Sequence, residues 1–403
     1  MDGGLNNFFD DYLKKEPLFK DRALLQSGYC PETINHRENE LKKVANVLAP
    51  SLRSDKPSNL FIFGKTGTGK TLVVKHTINQ LANYAKEKGI KLKTIYLNCK
   101  LKRVADTEYR LVAQLLRNLG VEVPYTGLPT EEVYKKFFDV IDKEKQIIVV
   151  ALDEIDQLVS KIGDELLYNI TRMNEELNNA RVSFIGISND LFFIDTLDPR
   201  VRSSLSEEEV VFPPYNAIQI KEILQQRSDL AFSTSALSTG VIEKCAAYAA
   251  REHGDARRAI ELLRVAAEVA ERNCQKVVKI ENIDHAEQKI EYDRILDLIT
   301  NQPKQSQVVL FSIIKIQDEK KEGIFTGEVY ELYQKLCPKI GLSMLTQRRV
   351  SDIIAELDML GIINSRVLSK GRYGRSREIT IMIPKDTLEK VINILNDSLG
   401  IAF

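Results

Sequence analysis

The stretch Leu60-Phe61-Ile62-Phe63-Gly64-Lys65-Thr66-Gly67-Thr68-Gly69-Lys70-Thr71 decides how this chain is read. Its four leading apolar residues suit a buried strand, and Gly64 to Thr71 match G-x-x-x-x-G-K-[ST]. The following TLVVKHTINQLANYAKEK has the pattern of a helix. A glycine-rich turn between strand and helix points backbone N–H groups inward around a phosphate, and the helix adds its positive dipole end. In such a loop Lys70 reaches the β- and γ-phosphates and the Thr71 hydroxyl holds Mg²⁺.

The complementary acids stand further on. The apolar run at 147–152 (IIVVAL) leads straight into Asp153-Glu154. Asp153 is placed to orient the Mg²⁺ surroundings, and Glu154 to act as general base for the attacking water. The run at 182–187 (VSFIGI) ends in Ser188-Asn189-Asp190. If that strand neighbours the phosphate-loop strand, Asn189 meets the γ-phosphate or the water. An asparagine at a strand end is also an ordinary turn former.

Three segments emerge around these motifs. Residues 1–213 alternate helical stretches with apolar runs at 60–63, 94–97, 147–152, 182–187 and 209–212. Runs apolar on both faces predict a five-stranded parallel sheet covered by helices, a doubly wound α/β domain. Pro213-Pro214 ends that pattern. Residues 214–292 read as a small helical domain in which Asp255 caps a helix carrying Ala256, Ile260, Leu263, Ala267 and Ala270. Residues 293–403 begin with helices and close on a hairpin, 362–368 and 376–383, around the glycine-containing loop SKGRYGR. Helices followed by a basic hairpin have the pattern of a winged helix.

Composition narrows the function classes. Lys plus Arg equals Asp plus Glu at 57 each, so any basic surface is local. Five cysteines, widely spaced and without a C-x-x-C pair, argue against a disulfide scaffold or cysteine-built zinc site and fit a reducing cytoplasm. Four scattered histidines lack metallohydrolase spacing. No run approaches the roughly 18 apolar residues of a membrane span, and the first ten residues do not have the form of a signal peptide.

Taken in order, these residues resemble the AAA+ ATPases, and among them the archaeal and eukaryotic origin-recognition and replication-initiation ATPases. Lys70, Asp153-Glu154 and Asn189 fall at the Walker A, Walker B and sensor-1 places. Tyr29-Cys30-Pro31 with His36-Arg37-Glu38 is similar to the family's adenine-wrapping stretch, which implies nucleotide contacts by Tyr29 and Arg37. Asp198-Pro199-Arg200-Val201-Arg202-Ser203-Ser204 resembles the segment that lends an arginine to a neighbouring protomer. Either Arg200 or Arg202 can fill that role, or both can be surface ion-pair residues. Gly254-Asp255-Ala256-Arg257 resembles the start of a sensor-2 lid helix. An arginine in a helix's first turn opposes the dipole, so an anion near Arg257 would explain it, while Arg258 suits a structural role.

The resemblance implies ATP/ADP and Mg²⁺ as cofactors, slow switch-like hydrolysis, and duplex DNA at an origin. As partners it implies the replicative helicase and related initiators, in a homo- or hetero-oligomer. In the third segment the helix at 346–360 would present Thr346, Gln347, Arg348 and Arg349 to a major groove, with Val350, Ile353, Ile354 and Leu357 facing the core. The wing, with Arg366, Lys370, Arg372, Tyr373, Arg375 and Arg377 in twelve residues free of acids, suits phosphates or a minor groove. Lys102, Arg103 and Arg110 occupy the place of an insertion that touches DNA in the resembling initiators, and the segment equally reads as an ordinary amphipathic helix with Tyr109, Val112, Leu115, Leu116 and Leu119 for a core. Rival readings are a STAND-type regulatory ATPase, an adaptor with structural nucleotide, a clamp-loader-like ATPase, and a winged helix that docks protein.

Overall fold

The computed structural model describes residues 17–26, 28–31, 33–100, 107–124, 127–205, 208–320, 323–369 and 375–400. Two compact units divide the chain, residues 1–283 and 284–403.

The first unit runs α1 (Glu38–Leu48), β1 (Leu60–Phe63), α2 (Lys70–Glu87), β2 (Leu92–Asn98), α3 (Glu108–Asn118), α4 (Thr130–Ile141) and β3 (Ile147–Asp153). It continues through α5 (Ile155–Ile162), α6 (Glu165–Glu176), β4 (Arg181–Ser188), α7 (Pro199–Leu205) and β5 (Glu208–Val211). Three helices follow: α8 (Ala217–Ala231), α9 (Val241–Arg251) and α10 (Ala256–Arg272). The five strands pair in parallel in the order β2-β3-β4-β1-β5.

Every residue of β3 is buried, because helices cover both faces of the sheet. Ile147, Val149 and Ala151 pack with Val73, Val74 and Ile78 of α2. Ile148, Val150 and Leu152 face the other way, onto α3, α4 and α6. The alternation follows from the two-residue period of a strand. The phosphate-loop strand neighbours the sensor strand as expected, with Phe63 opposite Ser188. Strand β2 is longer than its apolar run, since Lys93 and Asn98 pair with Ile148 and Asp153 whatever their polarity. The carbonyl-to-amide ladder is indifferent to side chain, so strand ends are poorly marked by hydropathy.

Helix α10 starts where the cap residue predicts. The Asp255 side chain accepts hydrogen bonds from the backbone N–H groups of Arg257 and Arg258 at 2.8 and 3.2 Å. Ala259, Leu263, Ala266, Ala267 and Ala270 are buried. Ile260 is only half-buried, because its side of the helix borders a cavity.

Helix α11 (Ile280–Thr300) begins in the first unit and ends in the second. The second unit then contains α12 (Lys304–Glu319), β6 (Ile324–Phe325), α13 (Thr326–Ile340), α14 (Gln347–Met359), β7 (Ile363–Ser369), β8 (Arg375–Ile381) and α15 (Lys385–Leu399). Strands β7 and β8 form the expected antiparallel hairpin, with Ile363 opposite Ile381 and Ser369 opposite Arg375. The two-residue β6 adds a third strand against β8, too short to leave a sequence pattern. Val350, Ile353, Ile354 and Leu357 of α14 are all buried against α12 and α13. Among the described residues, no helix is long and apolar enough to cross a membrane.

Candidate functional site

At the C-terminal edge of the parallel sheet, the strand ends carry the motif residues into one cleft. Lys70, the first residue of α2, is buried. Its ammonium donates to the carbonyls of Gly64 and Lys65 at 2.6 and 2.8 Å and to Asn189 Oδ1 at 2.9 Å. Burial pulls its pKa down from 10.5 to about 8, against the opposing pull of the Asp153 charge. A cation held by neutral oxygens in a desolvated place gains most from an arriving polyphosphate.

Asp153 closes β3 and is almost wholly buried. One oxygen, Oδ2, accepts from the Thr71 hydroxyl at 2.8 Å and from the Tyr96 hydroxyl at 2.5 Å. The other, Oδ1, accepts from the backbone N–H of Glu154 at 3.0 Å. Burial, and then the bond to Asp153, push the Tyr96 phenol up. Glu154 adopts left-handed backbone angles, φ 56° and ψ 47°, which cost a non-glycine residue about 1–2 kcal/mol. It starts α5 without its side chain capping the helix. The carboxylate lies 3.7 Å from Lys100 Nζ and remains accessible in the cleft.

Two adjoining cavities share this cleft. One of about 230 Å³ is lined by Lys70, Thr71, Asp153, Glu154, Asn189 and Arg257 among others. The other, about 590 Å³, is walled by Tyr29, Ile34, Tyr215, Ile223 and Ile260. Gly67, Gly69, Thr71, Lys75 and Arg257 border both. A polar chamber for phosphates beside an apolar one for a base and sugar suits a nucleoside triphosphate in size and chemistry.

The helical lid touches the phosphate loop directly. The Ala256 backbone N–H donates to the Gly67 carbonyl at 3.3 Å. Gly67 has φ +73°, and a Cβ there would lie 1.7 Å from Asp255 Oδ1. Both conformation and proximity therefore demand glycine. Arg257 projects into both cavities, and among the described residues its side chain has no carboxylate partner. Arg258 by contrast pairs with Glu252 and Glu261 at 3.3 and 3.9 Å, as its structural reading requires.

The comparisons with known proteins agree over nearly all of the chain. Family models described as "AAA domain", "Cdc6 AAA+ ATPase-type lid domain" and "CDC6, C terminal winged helix domain" match residues 53–192, 221–288 and 297–391. The chain is 47% identical over 390 residues to ORC1-type DNA replication protein 1 of Methanosarcina mazei, covering 96% of this chain and 93% of that one. It is 48% identical over 397 residues to the ORC1-type DNA replication protein of Thermococcus onnurineus, covering 98% and 94%. The chain belongs to the ORC1-type DNA replication proteins. Its fold matches the structure of the Aeropyrum pernix ORC1 protein in complex with DNA, with a TM-score of 0.84, 44% identity, and 95% and 98% of the two chains covered. Lid and winged helix together decide against the STAND-type and clamp-loader-like alternatives.

As an ORC1-type AAA+ protein the chain is a nucleotide-binding ATPase. Its sequence-predicted residues are distributed unevenly. Tyr29 walls the larger cavity and stacks under the Arg227 guanidinium, 4.5 Å from the ring centroid. Arg37 sits behind the phosphate loop: it is buried, donates to the carbonyls of Thr68 and Pro213, and lies 3.8 Å over the Tyr215 ring. Lys65 and Thr66 are exposed at the loop's crest. Arg200 and Arg202 are exposed and pair with Asp198 and Asp195 at 3.1 and 3.0 Å.

In the winged helix, Thr346 caps α14, and Gln347, Arg348 and Arg349 are exposed. Arg349 faces Asp352 and Glu356 of its own helix at 3.8 and 3.4 Å. Arg366 is exposed on β7, and Arg377 half-buried on β8. Lys102, Arg103, Lys370, Arg372 and Tyr373 lie outside the described residues.

Sequence reasoning missed Lys75, Tyr96, Tyr215 and Arg227. Lys75 was signalled by its spacing, one helical turn after Thr71 and so on the same face. Tyr96 was signalled by a phenol within a predicted strand, whose hydroxyl needs a partner once the ring is packed.

The lowered Lys70 pKa predicts a pH dependence. Phosphates favour the charged ammonium, so the bound-state pKa is higher and binding takes up a proton above about pH 8. Below that pH Lys70 is charged in both states and affinity is flat in this respect. Above it, ADP affinity is expected to fall by up to about tenfold per pH unit, and Lys70→Met should lose that slope. Calorimetric titrations from pH 6.5 to 9.5 check it.

Proposed function

We propose that this protein is an ATP-regulated initiator that recognises duplex DNA at a replication origin and starts its replication there. The carrying observation is the presence, in one ORC1-type chain, of an assembled triphosphate site and a winged helix whose α14 begins with an exposed polar turn. The DNA-bound state of the Aeropyrum pernix relative supports the nucleic-acid half of this reading. We take residues 1–213 as the ATPase domain, 214–292 as its lid and 293–403 as the DNA-binding domain.

Hydrolysis transfers the γ-phosphoryl group of ATP to water. Lys70 and Arg257 neutralise phosphate charge, Asn189 positions the γ-phosphate or the water, and Glu154 takes the water's proton. Among the described residues no cluster of three or more His, Cys, Asp or Glu can cage a metal alone. The Thr71 hydroxyl, its hydrogen given to Asp153 Oδ2 at 2.8 Å, would hold Mg²⁺ by its lone pairs with the Asp153 carboxylate orienting the ion's surroundings, as suits an ion held by few protein oxygens and shared with substrate phosphates. When bound, Mg²⁺ supplies charge stabilisation to the phosphates.

Two features support slow, switch-like turnover. Glu154 lies beside Lys100, and Arg200 and Arg202, exposed but paired with Asp198 and Asp195, would have to leave those acids to reach the site of another initiator. ADP persists after hydrolysis, and the nucleotide state sets the lid angle. The replicative helicase is the downstream partner, and the free cysteines suit work in the cytoplasm.

On DNA, Thr346, Gln347 and Arg348 approach the major groove, and Arg349 contributes less because its own acids hold it. The basic wing from Arg366 to Arg377 contacts phosphates, with Tyr373 at its tip. Lys102 and Arg103 add a second contact.

Lys70→Ala should lose most ATP affinity, whereas Glu154→Gln should bind ATP and fail to hydrolyse it; equal turnover by Glu154→Gln and wild type would remove Glu154 as the base. If Arg200 or Arg202 acts in trans, activity per chain rises with protein concentration or with DNA that gathers protomers. That rise should vanish in the responsible alanine variant. On DNA, Arg348→Ala should cost about 1–3 kcal/mol on the preferred site and little on random duplex, and Arg349→Ala should cost less. Arg372→Ala and Arg375→Ala should each lower the salt slope of binding by about 0.9 on any sequence.

A further inference from the structure

Tyr96 lies opposite Ala151 in the pairing of β2 with β3, and its ring packs with the apolar face that α2 covers. Neither the phosphate-loop pattern nor the acidic pair calls for a tyrosine there. A carboxylate only accepts, so the phenol, 2.5 Å away, donates its single hydrogen to Asp153 Oδ2. The same oxygen takes the Thr71 hydrogen, and an sp² oxygen has two lone pairs to give. Oδ2 is therefore filled by two hydroxyls, while Oδ1 holds the Glu154 amide. Donors from α2, β2 and the start of α5 fix the plane of one carboxylate.

The ring is held in turn. Lys75 Nζ lies 4.1 Å from its centroid, within the range of a cation–π contact. Lys75 and Thr71 rise from the same face of α2, so one helix grips the tyrosine from above and uses its hydroxyl's acceptor from below.

This arrangement bears on Thr71. Its hydroxyl has one hydrogen, committed to Asp153, and that commitment leaves its lone pairs for a cation. Without the phenol, Oδ2 has a lone pair to spare and Asp153 loses one of three restraints on its rotation. The Thr71 hydroxyl then loses its fixed partner.

We propose that Tyr96 is a positioning residue that orients the Asp153 carboxylate, and through it the Thr71 hydroxyl, to receive the magnesium ion of the nucleotide. The proposal rests on the reading of Thr71 and Asp153 as the magnesium pair. Partners one step behind a metal ligand typically contribute about 10–100-fold to metal affinity.

The test uses the full chain, the variants Tyr96→Phe and Tyr96→Leu, and a fluorescent N-methylanthraniloyl ADP. Tyr96→Phe keeps the ring, its volume and the Lys75 contact, and removes only the hydroxyl. Nucleotide affinity is measured first in EDTA, then as a function of MgCl₂, with thermal unfolding of the nucleotide-free chain as a control for folding. In EDTA, Tyr96→Phe should bind within about twofold of wild type. Its half-saturating Mg²⁺ should rise about 10–100-fold, the range for lost second partners, and Tyr96→Leu should show at least the same rise. An unchanged Mg²⁺ requirement in Tyr96→Phe overturns the proposal, as does a rise confined to Tyr96→Leu, which would make the ring the active part. Equal weakening in EDTA and in Mg²⁺ also overturns it, since Tyr96 would then act only as a wall of the smaller cavity, which it lines. A wild type indifferent to Mg²⁺ would instead overturn the magnesium pair itself, before either variant is considered.

Discussion

The guanidinium of Arg37 ties together three stretches of chain: the phosphate loop, the exit from the sheet and the entrance to the lid. It donates to the Thr68 carbonyl within the phosphate loop and to the Pro213 carbonyl just past β5, while its flat face rests on the Tyr215 ring at the entrance to the lid. The group is buried, with Glu40 as a distant counter-charge at 3.8 Å. Its stability therefore depends on those carbonyls, and theirs on it, since an unmet buried polar group costs about 1–3 kcal/mol. The loop's shape, the exit from the sheet and the start of the lid are thus a single problem solved by one side chain. Lysine has one charged point where three partners must be met in different directions, and so is no substitute.

Around that tie, much of the cleft was legible from residue order alone. A strand, a glycine turn and a lysine at a helix start permit one local geometry, so Lys70, Thr71 and Asp153 could be placed without seeing the sheet. The cap at Asp255 and the buried face Val350, Ile353, Ile354 and Leu357 were equally local, being fixed by helix periodicity. What escaped depends on tertiary direction. Arg37 was placed with the adenine stretch by resemblance, but a position in sequence does not say whether an arginine points into a cavity or behind its wall. Tyr96 and Lys75 act across α2 and β2, a pairing set by how the helix lies on the sheet. Strand β6 is two residues long and exists only because β8 offers an edge.

The charges show the same division between local and global. The chain is formally neutral, yet its arginines are not equivalent. Arg200, Arg202, Arg258 and Arg349 each face an acid nearby in sequence. Arg257 has none among the described residues, although it stands a single position before Arg258. The helix cap bears on the difference: Asp255 turns its Oδ1 to the backbone amides of Arg257 and Arg258 and makes no ion pair with the Arg257 side chain. A helix start that satisfies its own N–H groups in this way leaves a bare cation facing the cleft, where a phosphate can answer it.

The contact between Gly67 and the start of α10 has a mechanical meaning. Seventeen residues of helix begin against the phosphate loop, a rigid rod of about 25 Å at 1.5 Å per residue. Because the Asp255 carboxylate fills the space a single methyl group would need, there is no slack at the fulcrum. A tilt of about 5° there carries the far end of such a rod through about 2 Å. The phosphate loop is thus also the footing on which that rod stands.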